Sequence, residues 1–361
     1  MFNCQTPESW NCPLRLVIPA DILYNADIMK EFVVFDLEWN QNPYGRETAV
    51  ESLPFEIIEI GAVKLNEKLE IISSFCRLVR PQVYPELHFK IAEVTHMTME
   101  ELRKKGKPFP EVMKEFEEWC GKDAVYCTWG PMDLTELQRN VAYFGLENPF
   151  PKPLLYYDVQ KLYSLFREEG KEKKALDTAV KELGLKEDRP FHQAFDDACY
   201  TAMVMERLDW EKAEPYISMD YYQLPENRKE EVLLRFPGYT KYVSRAFETR
   251  EDAIADKKVT DMVCSQCKRT MRKKIRWFPA SQRAYLCLAF CKEHGFYKGK
   301  IRIKKAEDGR VFAVKTIKPV DEAGAAEISR RKEENRIKRN ERNRQKRQEK
   351  RRHQKEAKQS E

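Results

Sequence analysis

The sequence of 361 residues predicts an α/β fold with a mixed five-stranded sheet and flanking helices, followed by a small metal-binding module and a basic tail. Apolar segments at 32–37, 57–65 and 70–80 are joined by short turns, as in consecutive strands. Two later strands, at 124–128 and 154–157, alternate with helical segments. This order of elements is typical of a mixed sheet with helices on both faces.

Helical periodicity accounts for most of the rest of the first 210 residues. The predicted helices lie near 86–95, 109–120, 133–144, 159–168, 175–183 and 194–209. Residues 211–260 are broken repeatedly by proline, so we interpret them as a connector that packs on the core. The predicted divisions are an N-terminal extension at 1–29, a main domain at 30–210, the connector, a metal-binding module at 261–320 and a tail at 321–361.

Two carboxylates end the first predicted strand. Asp36 and Glu38 are two residues apart, so their side chains point to the same face of the strand. Convergent carboxylates repel each other unless a cation lies between them, and a hard divalent ion with oxygen ligands is the usual solution. The alternative is a strand end whose acids simply face solvent.

A third acid, Asp133, follows the strand at 124–128 and opens a helix in which Leu134, Leu137 and Val141 repeat at helical spacing. Asp133 could be an N-cap or a first-turn acid of that helix. A carboxylate at this position could also face the edge of the sheet where Asp36 and Glu38 lie, so the two interpretations are compatible.

A fourth acid and a histidine come from the last helix of the domain. Asp197 shares a helical stripe with Thr201, Val204 and Leu208 that is expected to face the core, where an unpaired carboxylate is costly. We therefore prefer Asp197 to Asp196, which we interpret as a solvated or capping neighbour. His192 precedes the helix in a loop, where its imidazole could reach a water molecule near bound metal ions.

These blocks, Asp36-x-Glu38, Asp133 and His192-x-Ala194-x-x-Asp197, resemble the DEDDh exonucleases over about residues 30–210. The segments 35–39, 56–63 and 129–133 most resemble the branch of the enhanced-RNAi-type exoribonucleases. The segment Thr95–Thr98 departs from the family, in which many members have a histidine-glycine or threonine-glycine step before an aliphatic residue.

The resemblance implies a ribonuclease H-like fold and 3′-5′ hydrolysis of single-stranded nucleic acid with release of nucleoside monophosphates. It assigns two Mg²⁺ or Mn²⁺ ions to the four acids, the role of general base to His192, and a contact with the terminal base to Leu37. RNA is the preferred substrate. The alternatives are a DNA exonuclease and a nucleic-acid-binding scaffold without activity.

A second metal site is predicted from two short motifs, Cys264-x-x-Cys267 and Cys291-x-x-His294, which resemble the two halves of a zinc ribbon. Four protein ligands leave no open position for water, so this Zn²⁺ is expected to be structural. Cys287 could replace one of these ligands, but it lies in a strand-like segment and is more simply a buried small hydrophobe. Basic and aromatic residues near the motifs are either a solvated surface or a single-strand contact.

The charge of the chain is concentrated at its C-terminus. Residues 330–361 contain fifteen Lys and Arg against six acidic residues, a net charge of +9, whereas the preceding residues sum to −3. This segment is expected to be a disordered tail or an isolated charged helix, either a solubilising extension or a contact with phosphates. The scattered cysteines and the lack of a signal peptide or membrane span predict a cytoplasmic protein with reduced thiols.

Overall fold

A computed structural model describes residues 17–18, 31–170 and 172–359. The chain divides into two compact units, and the boundary lies between Gln223 and Leu224. Apart from residues 17–18, the predicted N-terminal extension lies outside the described residues. No helix in the described part of the chain combines the length and the apolar character needed to cross a lipid bilayer.

The first unit contains a six-stranded mixed sheet in the order β4-β3-β2-β5-β6-β7. The first three of its strands pair antiparallel, whereas β2, β5 and β6 pair in parallel. The strands are β2 (Phe32–Gln41), β3 (Phe55–Leu65), β4 (Ile71–Leu78), β5 (Val125–Thr128), β6 (Leu155–Asp158) and β7 (Ser218–Met219). The α/β class and the mixed sheet are confirmed, but the predicted count of five strands misses β7, which has only two residues and no detectable period.

Helices cover both faces of this sheet. They are α1 (Phe89–Thr95), α2 (Met99–Lys105), α3 (Phe109–Cys120), α4 (Met132–Tyr143), α5 (Val159–Arg167), α6 (Leu176–Glu182), α7 (Ala194–Glu206) and α8 (Trp210–Ala213). The main core lies on the face of α3 and α4, where Phe35 and Leu37 of β2 pack with Val112, Phe116 and Leu134. Short 3-10 helices span Arg46–Thr48 and Glu214–Tyr216.

The second unit is built on a seven-stranded sheet in the order β1-β8-β9-β13-β12-β11-β10. Its strands are β1 (Val17–Ile18), β8 (Val232–Phe236), β9 (Tyr239–Phe247), β10 (Arg272–Ser281), β11 (Ala284–Cys291), β12 (Gly295–Lys305) and β13 (Val311–Pro319). Its helices are α9 (Arg250–Ala255), α10 (Lys257–Thr260) and α11 (Glu322–Gln359).

The predicted connector at 211–260 is corrected by this topology. Its residues 232–247 are strands β8 and β9 of the second sheet, and β9 pairs with β13. The break at Pro237-Gly238 is the turn of a hairpin, in which Gly238 has a φ of +81°. Proline followed by glycine with positive φ suits the centre of a type II turn. The proline that interrupts this segment therefore joins two strands of a hairpin and does not mark a loop. The metal-binding motifs are therefore part of a larger sheet, not of a separate small module.

The charged tail begins as a packed helix. Ala325 and Ile328 of α11 are buried against Phe278, Leu286 and Leu288. Exposed ion pairs such as Arg336 with Glu333 lie further along the helix. The alternative of a charged helix therefore describes this segment better than a disordered tail.

Candidate active site and metal centre

The alternation of side chains along β2 places two carboxylates on one face of the sheet. Phe35 and Leu37 point into the core and are 0% and 3% exposed, whereas Asp36 and Glu38 are on the opposite face and only partly buried. The side chain of Leu37 is therefore in the core, which leaves only its backbone for the predicted contact with a terminal base.

Asp133 lies in the first turn of α4, directly after β5. It is 5% exposed, and its carboxylate accepts a backbone hydrogen bond from Leu37. The N-cap of α4 is Pro131, so the N-cap interpretation of Asp133 does not hold. This hydrogen bond holds the carboxylate of Asp133 against β2 at Leu37, the residue between Asp36 and Glu38.

Asp197 reaches the same face because α7 lies directly on the sheet. Gly61 of β3 is opposite Asp36 in the strand register, and a Cβ atom at Gly61 would overlap backbone atoms of Ala194 and Phe195. The backbone N–H of Ala194 donates to Glu59 Oε2 at 3.1 Å, which fixes the first turn of the helix on β3. The periodicity that favoured Asp197 over its neighbour agrees with this arrangement.

His192 is joined to Asp197 through the backbone. Its N–H donates to Asp197 Oδ2 at 3.1 Å, and its φ of +64° turns the chain into α7. The His192 side chain is exposed, and one ligand atom from each of Glu38, His192 and Asp197 lies within 4.8 Å of the other two. Asp196 forms an ion pair with Arg189 at 2.9 Å, so it has a role apart from the cluster.

The carboxylates of this cluster repel one another in a poorly solvated place. Burial, together with the charges of neighbouring acids, raises the pKa of Glu38 to about 8 and holds the pKa of Asp36 well above its usual range. Burial likewise raises the pKa of Asp133 and of Asp197 to about 7. Acids in this state are stabilised as anions by an adjacent cation.

A divalent cation fits these residues. Asp197 Oδ1 is buried and has no hydrogen-bond partner among the described residues, which is costly for a carboxylate oxygen unless something else binds it. The donor set consists of carboxylate oxygens with one imidazole nearby, the ligands that Mg²⁺ and Mn²⁺ prefer. The acids Asp36, Glu38, Asp133 and Asp197 can therefore hold such ions.

Glu59 is a candidate functional residue to which the sequence analysis assigned no role of its own. It is 5% exposed, lies opposite Glu38 in the strand register, and also accepts a hydrogen bond from Cys76 Sγ at 3.3 Å. A single glutamate inside the otherwise apolar run 57–63 is the signal that could have identified it, because a buried carboxylate needs partners. Asp158, by contrast, is an N-cap, and its Oδ1 accepts from the N–H of Lys161 at 2.8 Å.

The second unit brings together Cys264, Cys267, Cys291 and His294. His294 Nδ1 is 3.5 Å from Cys264 Sγ and 3.6 Å from Cys291 Sγ, and the sulfur atoms of Cys267 and Cys291 are 3.6 Å apart. These separations suit four ligands around one tetrahedral Zn²⁺ at about 2.0–2.3 Å from each. The four side chains are those that the sequence predicts.

The state of Cys264 supports a metal at these cysteines, and Cys287 lies apart from them. Burial would raise the pKa of Cys264, but hydrogen bonds from the Tyr297 hydroxyl and from backbone N–H groups lower it to about 6, which favours the thiolate that a metal needs. Cys287 lies outside the group, is 0% exposed in β11, and has its pKa raised to about 12 by burial. It is a buried small hydrophobe, as the simpler interpretation predicts.

The family model RNase_T, described as Exonuclease, matches residues 33–205. Among solved structures, the chain is similar to the nuclease domain of 3′hExo, a DEDDh family member bound to rAMP, with 22% identity over 54% of this chain and 98% of that chain and a TM-score of 0.45. It is also similar to E. coli Exonuclease I in complex with a dA16 oligonucleotide, with 13% identity over 72% and 55% of the respective chains and a TM-score of 0.44.

A third similar structure is S. pombe Pop2p in a form with bound Mg²⁺ and Mn²⁺, with 14% identity over 51% of this chain and 84% of that chain and a TM-score of 0.39. No curated protein matches the chain. The family match covers the segment that carries Asp36, Glu38, Asp133, His192 and Asp197. Residues 33–205 therefore match the exonuclease domain that the RNase_T family model describes, on a mixed sheet of the ribonuclease H-like type.

Proposed function

We propose that this protein hydrolyses phosphodiester bonds from the 3′ end of single-stranded RNA and releases nucleoside monophosphates. The observation that carries the proposal is the convergence of four carboxylates and His192 at one site in an exonuclease domain. The 3′-5′ direction and the need for a divalent metal rest on the resemblance of the site residues to those of the DEDDh exonucleases. The choice of RNA rests on the resemblance of segments 35–39, 56–63 and 129–133 to an exoribonuclease branch.

The four acids would hold two divalent ions, Mg²⁺ or Mn²⁺, which supply polarisation of the attacking water and stabilisation of the departing oxygen. Asp36 and Glu38 contribute from β2, whereas Asp133 and Asp197 contribute from the first turns of α4 and α7. The hydrogen bond of Leu37 to Asp133 and that of His192 to Asp197 leave other carboxylate oxygens for the metals.

His192 would accept the proton of the attacking water. Its backbone is held by Asp197, while its exposed imidazole is free to turn toward a substrate. An imidazole nitrogen can accept a proton from a nearby water molecule, which suits a general base. The backbone of His192 is therefore held beside Asp197, and its side chain is open to solvent.

The four Cys and His ligands of the second unit would hold one structural Zn²⁺, because all four positions are taken by protein. A sheet with such a site and the basic helix α11 suit electrostatic contact with a flexible single strand. A cytoplasmic location stays a prediction from the sequence alone.

The test is to incubate the protein with 5′-labelled single-stranded RNA and DNA of equal sequence, with Mg²⁺ or Mn²⁺, and to resolve the products by length. We expect fragments that shorten from the 3′ end, faster for RNA. If DNA is hydrolysed faster, DNA is the preferred substrate and the choice of RNA is wrong. If both strands stay intact but still bind, the protein is a nucleic-acid-binding scaffold without activity.

The neighbouring acids Asp196 and Asp197 provide a matched pair of variants for this test. Asp197→Asn should abolish the shortening, because the amide removes a negative ligand from the site. Asp196→Asn removes the same charge one residue away, where the acid pairs with Arg189, and should leave activity nearly unchanged. Equal activity of the two variants would contradict the assigned site.

A further inference from the structure

Strand β12 carries a row of cations on one face. Lys298, Lys300 and Arg302 alternate with Tyr297, Gly299, Ile301 and Ile303, which are buried on the opposite face. Side chains two residues apart along a strand are about 6.6 Å apart. The row therefore presents three positive charges along one strand at regular intervals.

Further cations adjoin this row. Lys318 of β13 is directly opposite Lys298 in the strand register. Leu286 and Leu288 of β11, which pair with Lys300 and Lys298, pack against α11, so this helix lies on the same face. We call Lys298, Lys300, Arg302, Lys318 and Arg331 of α11 the β12 cationic surface.

The charges of this surface are poorly compensated within the protein. Arg331 is paired with Glu327 at 2.7 Å, but Lys298, Lys300, Arg302 and Lys318 form no ion pair within 4.0 Å in the described part of the chain. Burial and then the neighbouring cations lower the pKa of both Lys298 and Lys300. Like charges directly opposite each other destabilise a sheet, so such a cluster is favourable only with an anionic partner.

We propose that the β12 cationic surface binds the phosphate backbone of a single-stranded nucleic acid. The choice of ligand rests on the proposed function. An extended strand carries one negative charge per nucleotide at a spacing similar to that of the row, so successive phosphates can meet successive cations. Phe296, which precedes the row on the same face of β12, packs against the cluster of Leu286, Leu288 and Ile328. The surface as defined therefore offers cations only, and contacts to phosphates alone carry no sequence information. The binding is therefore electrostatic and independent of sequence.

A regular row of charges along one strand suits binding to a linear polyanion better than binding to a lipid bilayer. Membrane surfaces bind proteins that combine cations with exposed apolar side chains. Among the described residues of the second unit, Ile337 is the exposed large hydrophobic residue, and it lies on α11 beyond this surface. An acidic segment of another protein is the competing ligand, and the experiment separates the two.

The experiment compares two variants of the full chain in a His192→Ala background, in which the strand stays intact. The first is Lys298→Gln with Lys300→Gln and Arg302→Gln. The matched control is Lys229→Gln with Lys257→Gln and Lys292→Gln, which removes three charges from exposed lysines of the same unit. Binding of a fluorescein-labelled oligouridylate is measured by anisotropy as a function of salt concentration.

We expect the first variant to lose about two units of the slope of log K against log salt, since each phosphate contact on a single strand contributes about 0.7. At about 0.1 M salt this corresponds to binding that is roughly tenfold to a hundredfold weaker. The control should lose little of either. Equal slopes for the two variants would overturn the proposal, as would a loss of binding to a polyglutamate peptide without loss of binding to the oligonucleotide.

Two further measurements keep the result interpretable. The charge-conserving variant Lys298→Arg with Lys300→Arg and Arg302→Lys should restore both slope and affinity, which a folding defect would not. Hydrolysis of a trinucleotide by the control variant, with His192 intact, should match that of the unchanged chain. If no variant hydrolyses anything but the salt slopes differ as stated, the proposed function fails and the phosphate-binding surface stands.

Discussion

Gly61 of β3 lies against the backbone of Phe195, close enough that a Cβ atom at Gly61 would overlap Phe195 N. The two residues join the strand next to β2 with the first turn of α7. Because Asp36 is opposite Gly61 in the strand register and Asp197 follows Phe195 by two residues, this approach sets the distance between the first and last acids of the site.

Gly61→Ala should therefore move α7 away from the sheet. We expect a loss of about 1–3 kcal/mol in the free energy of unfolding, as for other overpacked sites, and a fall of at least tenfold in kcat. The matched control is Gly145→Ala, since Gly145 has a φ of +69° and open space around it. It should lose stability through backbone strain while kcat stays near that of the wild type. Chemical denaturation and a nuclease assay measure both, and an active Gly61→Ala variant would contradict the assigned role.

Glu59 should act as a positioning residue through the N–H of Ala194. Glu59→Ala removes the acceptor, so we expect α7 to loosen and kcat to fall about tenfold, in line with about 1–3 kcal/mol for an unsatisfied buried group. Glu59→Gln retains an amide oxygen in the same place and should keep most of the activity. Equal losses in the two variants would show that the charge of Glu59 matters, and not its hydrogen bond.

His192 and Asp133 should be separable by their effects on metal binding. His192→Ala should lower kcat by about 10²–10⁴-fold, the range for removal of a general base, and keep Mn²⁺ binding. Asp133→Asn should lose both activity and Mn²⁺ binding. Calorimetric titration with Mn²⁺ beside the nuclease assay tests the pair, and loss of metal binding in His192→Ala would place the histidine among the ligands.

The raised pKa values of the acids predict a pH dependence of metal binding. With Glu38 near 8 and Asp133 and Asp197 near 7, the folded metal-free protein binds more protons than the unfolded chain between about pH 4 and 8. These acids therefore lower its stability as the pH rises through that range. A divalent cation binds the deprotonated acids and offsets this loss.

The increase in melting temperature caused by added Mg²⁺ should accordingly be small at acidic pH and should grow toward about pH 8. Differential scanning fluorimetry across this range measures it. The double variant Asp36→Asn with Asp197→Asn should show almost no increase at any pH. An increase that does not change with pH in the wild-type protein would contradict the shifted pKa values.

The zinc site predicts a difference between two cysteines that are four residues apart. Cys291→Ser should reduce bound zinc and lower the melting temperature of the second unit, because one of four ligands is lost. Cys287→Ala should keep one zinc ion per chain and cost only the packing of a small buried side chain. Metal analysis of the purified variants decides, and loss of zinc from Cys287→Ala would place that thiol among the ligands.

Local pattern predicted most of the first unit. The bounds of α3 agree with the structure, and the strands and most other helices differ by a few residues, because apolar periodicity marks buried faces directly. The helix α2 was missed although Thr98 caps it, with Thr98 Oγ1 accepting from the N–H of Glu101 at 3.2 Å. Its sequence, MEELRKK, has only two apolar residues, so no apolar repeat marks this helix.

The site was predictable where its chemistry is local and not where it depends on tertiary contact. Asp36 and Glu38 can be identified from the sequence, because their spacing places both side chains on one face of a strand. The roles of Gly61 and Glu59 appear only when α7 is placed on β3, a contact between residues more than 130 positions apart in the chain. The strands β8 and β9 were missed for a related reason, since β9 joins this hairpin to the sheet by pairing with β13, which lies far along the sequence.

The pairing of β9 with β13 also decides where the chain can be cut. A fragment that begins at residue 261 would retain the zinc ligands but lose β8 and β9, and β13 would become an open edge strand. Exposed edges of this kind recruit other chains and lead to aggregation. A recombinant form of the second unit should therefore start before Val232. Fragments that contain only the zinc motifs and strands β10 to β13 are expected to precipitate even when zinc is supplied.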